Sequence, residues 1–454
     1  MNTLPDAPAH IHIVGIGGAG MSAIARVLLG RGYMVSGSDR QPNAVSDALA
    51  QDGAVVYIGH AAEQIAGAQL VLISSAVPPD NPEVLAANAV GVPVLKRREA
   101  LGALTAGYDV IAVAGTHGKT TTSALITHLL IEAGLDPTYI VGGVLLNTGT
   151  NAGVGKSNWF VIEADEYDMM FLGLHPKIAV ITNIEHDHPD MFATLADVLD
   201  AFRQFADHVR PDGELFVCSM DENANSLGEA YKKSNHNVTF YPFLGHHFYE
   251  WRYEVQIICQ HDPNYDNDWL SSVVNGLNAS VALAVVEAII KPFKLDDQLA
   301  LCNFKGVARR MELIGTTADN VAIYSDYGHH PTAIKATLDG ASDRFPGQSC
   351  WAVWQPHTYS RTHLLAREFS QAFAHTDHVL ITDIYAAREQ PSPGPTEDDI
   401  AQMAREAGHR DARHSGSLAA TADILRRETQ PGDVVIIFSA GDAPTIADRL
   451  LQGE

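Results

Sequence analysis

The sequence predicts an α/β chain of three domains, each built on a largely parallel sheet. Three observations predict it. Two glycine-rich turns, one opening at Gly15 and one at Gly115, each follow a short apolar run and precede an apolar-periodic helix. Four further apolar runs in the last third each end in polar or glycine residues, as strands of open α/β sheets do at their binding edge. At 454 residues the chain exceeds one ordinary core, so two or three domains are expected.

Residues 11 to about 105 alternate strand and helix patterns. The expected strands are His10–Val14, Tyr33–Gly37, Val55–Ile58, Leu70–Ser74 and Val92–Leu95, with a helix at Ala19–Leu29. Gly15, Gly17 and Gly20 form G-x-G-x-x-G after the first strand, and Asp39 follows Gly20 by 19 residues. That is a dinucleotide fingerprint. What it secures physically is a diphosphate at a helix N-terminus, so a nicotinamide dinucleotide and any UDP- or ADP-type ligand both satisfy it.

The second turn lies in DVIAVAGTHGKTTT, residues 109–122. A buried strand, Val110–Val113, runs into Gly115 and Gly118, then Lys119 and Thr120 open a helix. Glycines let backbone N–H groups face a phosphate, Lys119 would reach the β/γ-phosphates, and a threonine hydroxyl would ligate Mg²⁺. The spacing G-x-x-G-K-T is two residues shorter than the usual phosphate loop. A dehydrogenase would need only one nucleotide site, and this second loop speaks against it.

Further along, Val141–Leu145, Asn158–Ile162 and Ile178–Thr182 read as strands. The second leads into Glu163-Ala164-Asp165-Glu166-Tyr167-Asp168, where either a Mg²⁺ ligand or a solvated acidic loop fits. The third ends in Asn183-Ile184-Glu185-His186-Asp187-His188, a metal cluster or a hydrogen-bonded one. Ion chemistry alone would not choose His188 for magnesium, which prefers oxygen. Residues 219–272 read as insert strands, with His246 and His247 at the surface. A helix from Asn278 to Ile290 carries Asn275 and Asn278 at or just before its start, and Arg309 and Arg310 follow a glycine turn. In the last third, strands Ala322–Ser325, Cys350–Trp354, Val379–Thr382 and Val434–Phe438 deliver Asp326 to Pro331, Gln355 to Arg361, Asp383 to Tyr385, and Ser439 to Asp442.

Composition bounds the function. A formal charge of -24 argues against a nucleic-acid partner. Cys218, Cys259, Cys302 and Cys350 are far apart with no CxxC pair, which favours a reducing compartment and no zinc site. The N-terminus lacks signal-peptide character, and no apolar run is long enough for membrane insertion. A cytoplasmic monomer or homodimer is expected.

The motifs taken together resemble the Mur ligase family of peptidoglycan synthesis. GIGGAGMS with SGSD, AGTHGKTTT, GGVL with GTNA, EADEYD, TNIEHDH, FKGVARRMELIG, DYGHHPT and QPHTYSRT all stand in the family's order. DYGHHPT and QPHTYSRT point to the alanine-adding member; the ligase that reattaches a recovered tripeptide is the nearest confusable relative. The resemblance implies a UDP-sugar-binding Rossmann-like domain (residues 1–106), a central P-loop ATPase-like domain (107–312) and a Rossmann-like C-terminal domain (313–454) that binds the amino acid. It implies ATP-dependent joining of L-alanine to the carboxylate of UDP-N-acetylmuramate through an acyl phosphate, with Mg²⁺.

The family's roles fall on matching positions. Gly15, Gly17, Gly18, Ala19, Gly20, Met21, Ser22, Ser38, Asp39 and Ser75 would hold the UDP-sugar. Gly115, Thr116, His117, Gly118, Lys119, Thr120, Thr121, Asn275, Asn278, Arg310 and Asp326 would hold ATP. Thr120, Glu163 and His188 would serve the metal, while Tyr327, His329, His330, His357 and Arg361 would surround substrate in the C-terminal domain. Lys119 carries the phosphoryl step, and His188 or His329 is the candidate base for the amine. One departure stands out: Val274 precedes Asn275 where the family has a histidine that contacts adenine. That departure leaves a non-catalytic nucleotide-sugar or ATP sensor as the alternative of another class.

Overall fold

The computed structural model describes residues 3–242, 272–290, 300–387 and 389–452. These fall into two compact units. The first takes in the chain up to His186, the stretch from Thr194, and Leu277–Lys305; the second takes in Asp187–Ala193, the chain just before Leu277, and the chain from Gly306.

The first unit holds two sheets. One is five-stranded and all parallel: β1 (His10–Val14), β2 (Met34–Asp39), β3 (Val55–Ile58), β4 (Leu70–Ile73) and β5 (Val94–Lys96), in the order β3-β2-β1-β4-β5. The order reverses beside β1, so the edge outside Val14 is a switch point where a ligand crevice forms. The other sheet comprises β6 (Asp109–Ala114), β7 (Thr138–Leu145), β8 (Thr150–Gly153), β9 (Trp159–Glu163), β10 (Ile178–Ile181), β11 (Glu214–Cys218) and β12 (Val238–Tyr241), in the order β12-β11-β10-β6-β9-β7-β8. Its central strands bury both faces: Val110 to Ala114, Phe160 to Ile162 and Ile178 to Ile181 are nearly solvent-free. Such continuous apolar runs are what a parallel sheet covered on both sides requires.

The second unit holds β13 (Glu312–Thr316), β14 (Ala322–Asp326), β15 (Cys350–Trp354), β16 (His378–Thr382), β17 (Ala412–Gly416) and β18 (Val434–Phe438), in the order β13-β14-β18-β15-β16-β17. Trp354, Phe369, Phe373 and Phe438 fill one face of this sheet; Val353, Leu380, Val435 and Ile437 fill the other. The three-domain α/β class expected from sequence is the architecture observed.

Several local expectations are corrected. Two pairings are antiparallel, β7 with β8 and β13 with β14. The stretch after residue 219 is not all insert strand: Glu222–Lys233 is a helix, started by the Asp221 side chain accepting from Ala224 N, and β12 extends the main sheet. His246 and His247 lie outside the described residues. The later helix begins at Val273, so Asn275 and Asn278 stand inside its first two turns rather than before it. Cys302 is disulfide-bonded, whereas Cys218 and Cys350 are free thiols. The cysteine spacing favours a reducing compartment, and the bond at Cys302 stands apart from that expectation. Among the described residues no helix is long and apolar enough to cross a membrane.

Candidate active site

The first turn is built against β2. Gly15 N and Ile16 N donate to Ser38 O at 2.8 and 3.1 Å, and Gly17 N donates to Asp39 Oδ2 at 2.9 Å. Asp39 therefore braces the loop itself. Gly15 adopts φ +82°, a left-handed conformation that other residues rarely take. The helix Ala19–Gly30 opens at Gly18, which offers no side-chain cap, so the helix start stays available to an anion. Met21 and Ser22 are buried, and Ser22 Oγ turns back onto Ala19 O at 2.9 Å. Ser38 contributes by its backbone: its hydroxyl is buried in a network, donating to Glu83 Oε2 at 2.6 Å, which also meets His60 Nδ1 at 3.0 Å. Ser75 Oγ donates to Asp168 Oδ2, so the acidic run after β9 reaches the first cradle.

The second turn is fixed from β10. Thr116 N donates to Asn183 O, His117 N to Asn183 Oδ1 at 2.8 Å, and Thr182 Oγ1 to His117 O at 2.5 Å. Thr182 and Asn183 are thus supports that the motif alone did not reveal. Gly118 caps the helix Lys119–Glu132 in a left-handed conformation, φ +82°, with Asn278 Oδ1 2.8 Å from where a Cβ would stand. Thr122 Oγ1 donates to Asn278 Oδ1 at 3.1 Å, so Asn278 is held beside the loop. That helix is buried nearly all round. Two of its hydroxyls are satisfied within it, Ser123 donating to Lys119 O and Thr127 to Ser123 O, each at 2.8 Å.

Gly115 gives a direct prediction. It adopts φ +136°, and a Cβ there would stand 1.9 Å from Thr182 Oγ1. Gly115→Ala should cost about 1–3 kcal/mol of stability and displace the loop. A melting curve with and without ATP would check it: an unshifted melt with full ATP stabilisation would contradict the fit.

Lys119 is largely buried and already engaged. Nζ donates to Gly115 O at 2.6 Å and to Glu166 Oε2 at 2.9 Å. Burial alone would lower its pKa, but Glu166, Asp165 and Glu163 outweigh that and keep the ammonium charged. Burial in turn pushes the Glu166 carboxyl up to about 7, against the attraction of Lys119. Glu166 was read only as part of an acidic run; its pairing with a lysine 47 positions away left no sequence signal. Glu163, at the end of β9, accepts from Gly142 N through Oε2 at 2.7 Å.

The second unit carries its own cluster. Asp187 and Arg361 are 6% exposed, and Arg361 Nε and Nη2 donate to Asp187 Oδ1 at 3.1 and 2.9 Å. Burial would raise the Asp187 pKa, but Arg361, His188, His329 and His330 hold it well below the usual carboxylate range. Asp187 is a residue that sequence reasoning missed as a partner. His188 follows it in the left-handed region, φ +55°, its N–H donating to Asp187 Oδ1 at 2.7 Å. Burial and the Arg361 charge hold the His329 imidazole neutral, well below its ordinary value, and its Nδ1 meets Tyr327 O at 3.0 Å. The His329 ring lies 6.1 Å from that of His357, which stacks on Tyr385 at 5.8 Å. His330 caps the helix Pro331–Arg344.

Asp326 braces the backbone around it. Oδ2 accepts from Met311 N at 3.0 Å and Oδ1 from Gly328 N at 2.7 Å, pinning the segment in which Arg309 and Met311 take positive φ. Arg310 lies 5.2 Å over the Tyr327 ring. Asn275 N donates to Ser272 Oγ at 3.1 Å, and Val274 beside it is exposed. The structure thus gathers the expected residues into two groups. Gly15 to Ser22, Ser75, Gly115 to Thr121, Glu163 and Asn278 lie on the first unit; His188, Asn275, Arg310, Asp326 to His330, His357 and Arg361 lie on the second.

One unit thus carries two glycine turns at helix starts and the other a histidine–arginine–carboxylate cluster, features of the kind an ATP-using ligase needs. Models of the Mur ligase family match most of the chain: its catalytic domain at residues 10–109, its middle domain at 113–284 and its glutamate ligase domain at 309–441. The chain belongs to the Mur ligase family. Among its relatives is a protein of Syntrophobacter fumaroxidans named UDP-N-acetylmuramate–L-alanine ligase, 38% identical over 97% of this chain and 95% of its own. Another of that name, from Anaeromyxobacter dehalogenans, is 40% identical over 99% of both chains. In fold the chain is similar to the crystal structure of UDP-N-acetylmuramate-alanine ligase from Thermotoga maritima, with a TM-score of 0.75, 23% identity and 98% coverage of each chain. It is also similar to a murein peptide ligase of Psychrobacter arcticus, with a TM-score of 0.66, 23% identity and 98% coverage of each chain.

Proposed function

We propose that this chain joins L-alanine to the carboxylate of UDP-N-acetylmuramate at the expense of ATP, in peptidoglycan precursor synthesis. The observation that carries the reading is the near-complete alignment, at 38–40% identity, with relatives bearing that name. The two cradles support it, since a sugar nucleotide and an energy donor each need one. We assign residues 1–106 to the nucleotide sugar, 107–312 to ATP and 313–454 to the amino acid, and we place the reaction in the cytoplasm, where ATP is supplied.

The carboxylate must be activated before it accepts an amine. Its oxygen attacks the γ-phosphorus, the bond to the ADP oxygen breaks, and an acyl phosphate forms. The alanine nitrogen then attacks the acyl carbon, phosphate leaves, and the amine gives up a proton. Lys119, charged throughout, neutralises the approach of carboxylate to triphosphate, and the loop from Gly115 holds the transferring group in line. His188 and His329 are the two candidate bases; the burial and Arg361 charge that keep His329 neutral also make its imidazole a weaker proton acceptor.

Thr120 and Glu163 are hard oxygen donors of the kind Mg²⁺ prefers, and Glu163 uses one carboxylate oxygen on Gly142 N, leaving the other for an ion. These two, with His188, are the residues we assign to magnesium. When bound, the ion would neutralise phosphate charge. Glu163→Ala should raise the magnesium concentration for half-maximal rate by about tenfold or more; an unchanged magnesium titration would remove Glu163 from the metal site.

The deciding experiment is ADP formation with UDP-N-acetylmuramate against a panel of amino acids and the recovered tripeptide. ADP is expected to need all three substrates and to be fastest with L-alanine. Preference for the tripeptide would make the chain a recycling ligase, and no ADP with any of them would make it a sensor.

A further inference from the structure

Arg97 opens the helix Arg97–Thr105 directly after β5, and no motif singled it out. Its guanidinium packs against Gly20 of the first cradle: a Cβ built on Gly20 would stand 2.3 Å from both Cζ and Nη2. Gly20 belongs to the first turn of the 12-residue helix Ala19–Gly30, whose start carries no side-chain cap and no acidic residue. Arg97 Nε is buried and has no hydrogen-bond partner. Asp165, Glu163 and Asp168 are near enough for their charges to act on the guanidinium. Among the described residues, though, none of them forms an ion pair with Arg97. A fixed guanidinium beside a helix N-terminus places two positive ends together, and an incoming anion relieves both.

We infer that Arg97 determines recognition of the nucleotide sugar, its guanidinium gripping the diphosphate together with the start of helix Ala19–Gly30. This rests on the assignment of UDP-N-acetylmuramate to the first cradle. The triphosphate has its own cation in Lys119, on the other turn, so Arg97 serves the sugar nucleotide. The guanidinium fork matches two phosphate oxygens, which an ammonium does not. The three nearby carboxylates keep the side chain from swinging away without neutralising it outright.

The test uses the full chain with Arg97→Ala and Arg97→Lys, and measures binding of UDP, UMP and UDP-N-acetylmuramate by calorimetry, with steady-state kinetics alongside. Arg97→Ala is expected to weaken UDP and UDP-N-acetylmuramate by about ten- to a hundredfold and leave UMP within about twofold. KM for the nucleotide sugar should rise, KM for ATP should stay, and Arg97→Lys should fall between. UDP binding untouched by either variant, or UMP weakened as much as UDP, would overturn the assignment. Loss confined to UDP-N-acetylmuramate would overturn it too, by moving Arg97 to the sugar's carboxylate. If Arg97→Ala does not fold, Arg97→Lys decides on the same UDP/UMP comparison. A wild-type chain that makes no ADP from the three substrates would refute the ligase reading instead, while the UDP/UMP comparison would still judge Arg97.

Discussion

Lys119→Ala should lower ADP formation dependent on L-alanine and UDP-N-acetylmuramate by about a thousandfold, the size expected when a preorganised charge at a phosphoryl site is removed. The fold should survive it. Glu166, left without its ammonium, is already pushed up to about 7 by burial and will simply take a proton. The contrast to measure is therefore a melting temperature close to wild type beside a near-complete loss of phosphate release. Near-normal turnover would take the loop out of the mechanism.

The second large effect belongs to Asp187→Ala. Arg361 would remain buried with its charge unanswered, which costs about 3–5 kcal/mol in comparable buried pairs. Chemical denaturation of the variant should show this loss in the transition that reports on the second unit. The pH dependence has a definite sign. Asp187 titrates well below its ordinary value when folded, so the unfolded chain binds the proton first. Its contribution is present above about pH 4 and is lost as pH falls through the folded pKa. His329 is likewise held below its ordinary value, so the unfolded state protonates first below about pH 6.5 and stability again falls with pH. A second unit that grew more stable on acidification would contradict both. So would an Asp187→Ala chain as stable as the parent.

Most strands were legible because they are buried on both faces: Val110 to Val113 or Val434 to Phe438 leave little to read but a core strand ended by polar residues. Both glycine turns were legible for the same local reason, since backbone conformation there admits few residues other than glycine. What escaped was not local. Helix Glu222–Lys233 buries only Ala224, Gly228 and Tyr231, too few apolar positions to show a period, although Asp221 at its start and Lys232 and Lys233 at its end were fair signals. The antiparallel edges escaped because pairing direction is set by connection, not by composition. In the site, Asp187 meets Arg361 across 174 positions, and Arg97 reaches Gly20 from another helix altogether. Such partnerships exist only once the chain has folded, and no motif spacing encodes them.

The grip of Glu166 on Lys119 changes what a nucleotide affinity means in this protein. A triphosphate arriving at the loop does not meet a waiting cation; it displaces a resident anion and must leave that carboxylate no worse off. Affinity is thus the difference between two pairings, and anything that helps Glu166 let go, a proton or a divalent ion, strengthens the hold on the incoming phosphate. Acidification through neutrality should then tighten ATP, whereas an isolated lysine, charged across that whole range, would contribute no such change.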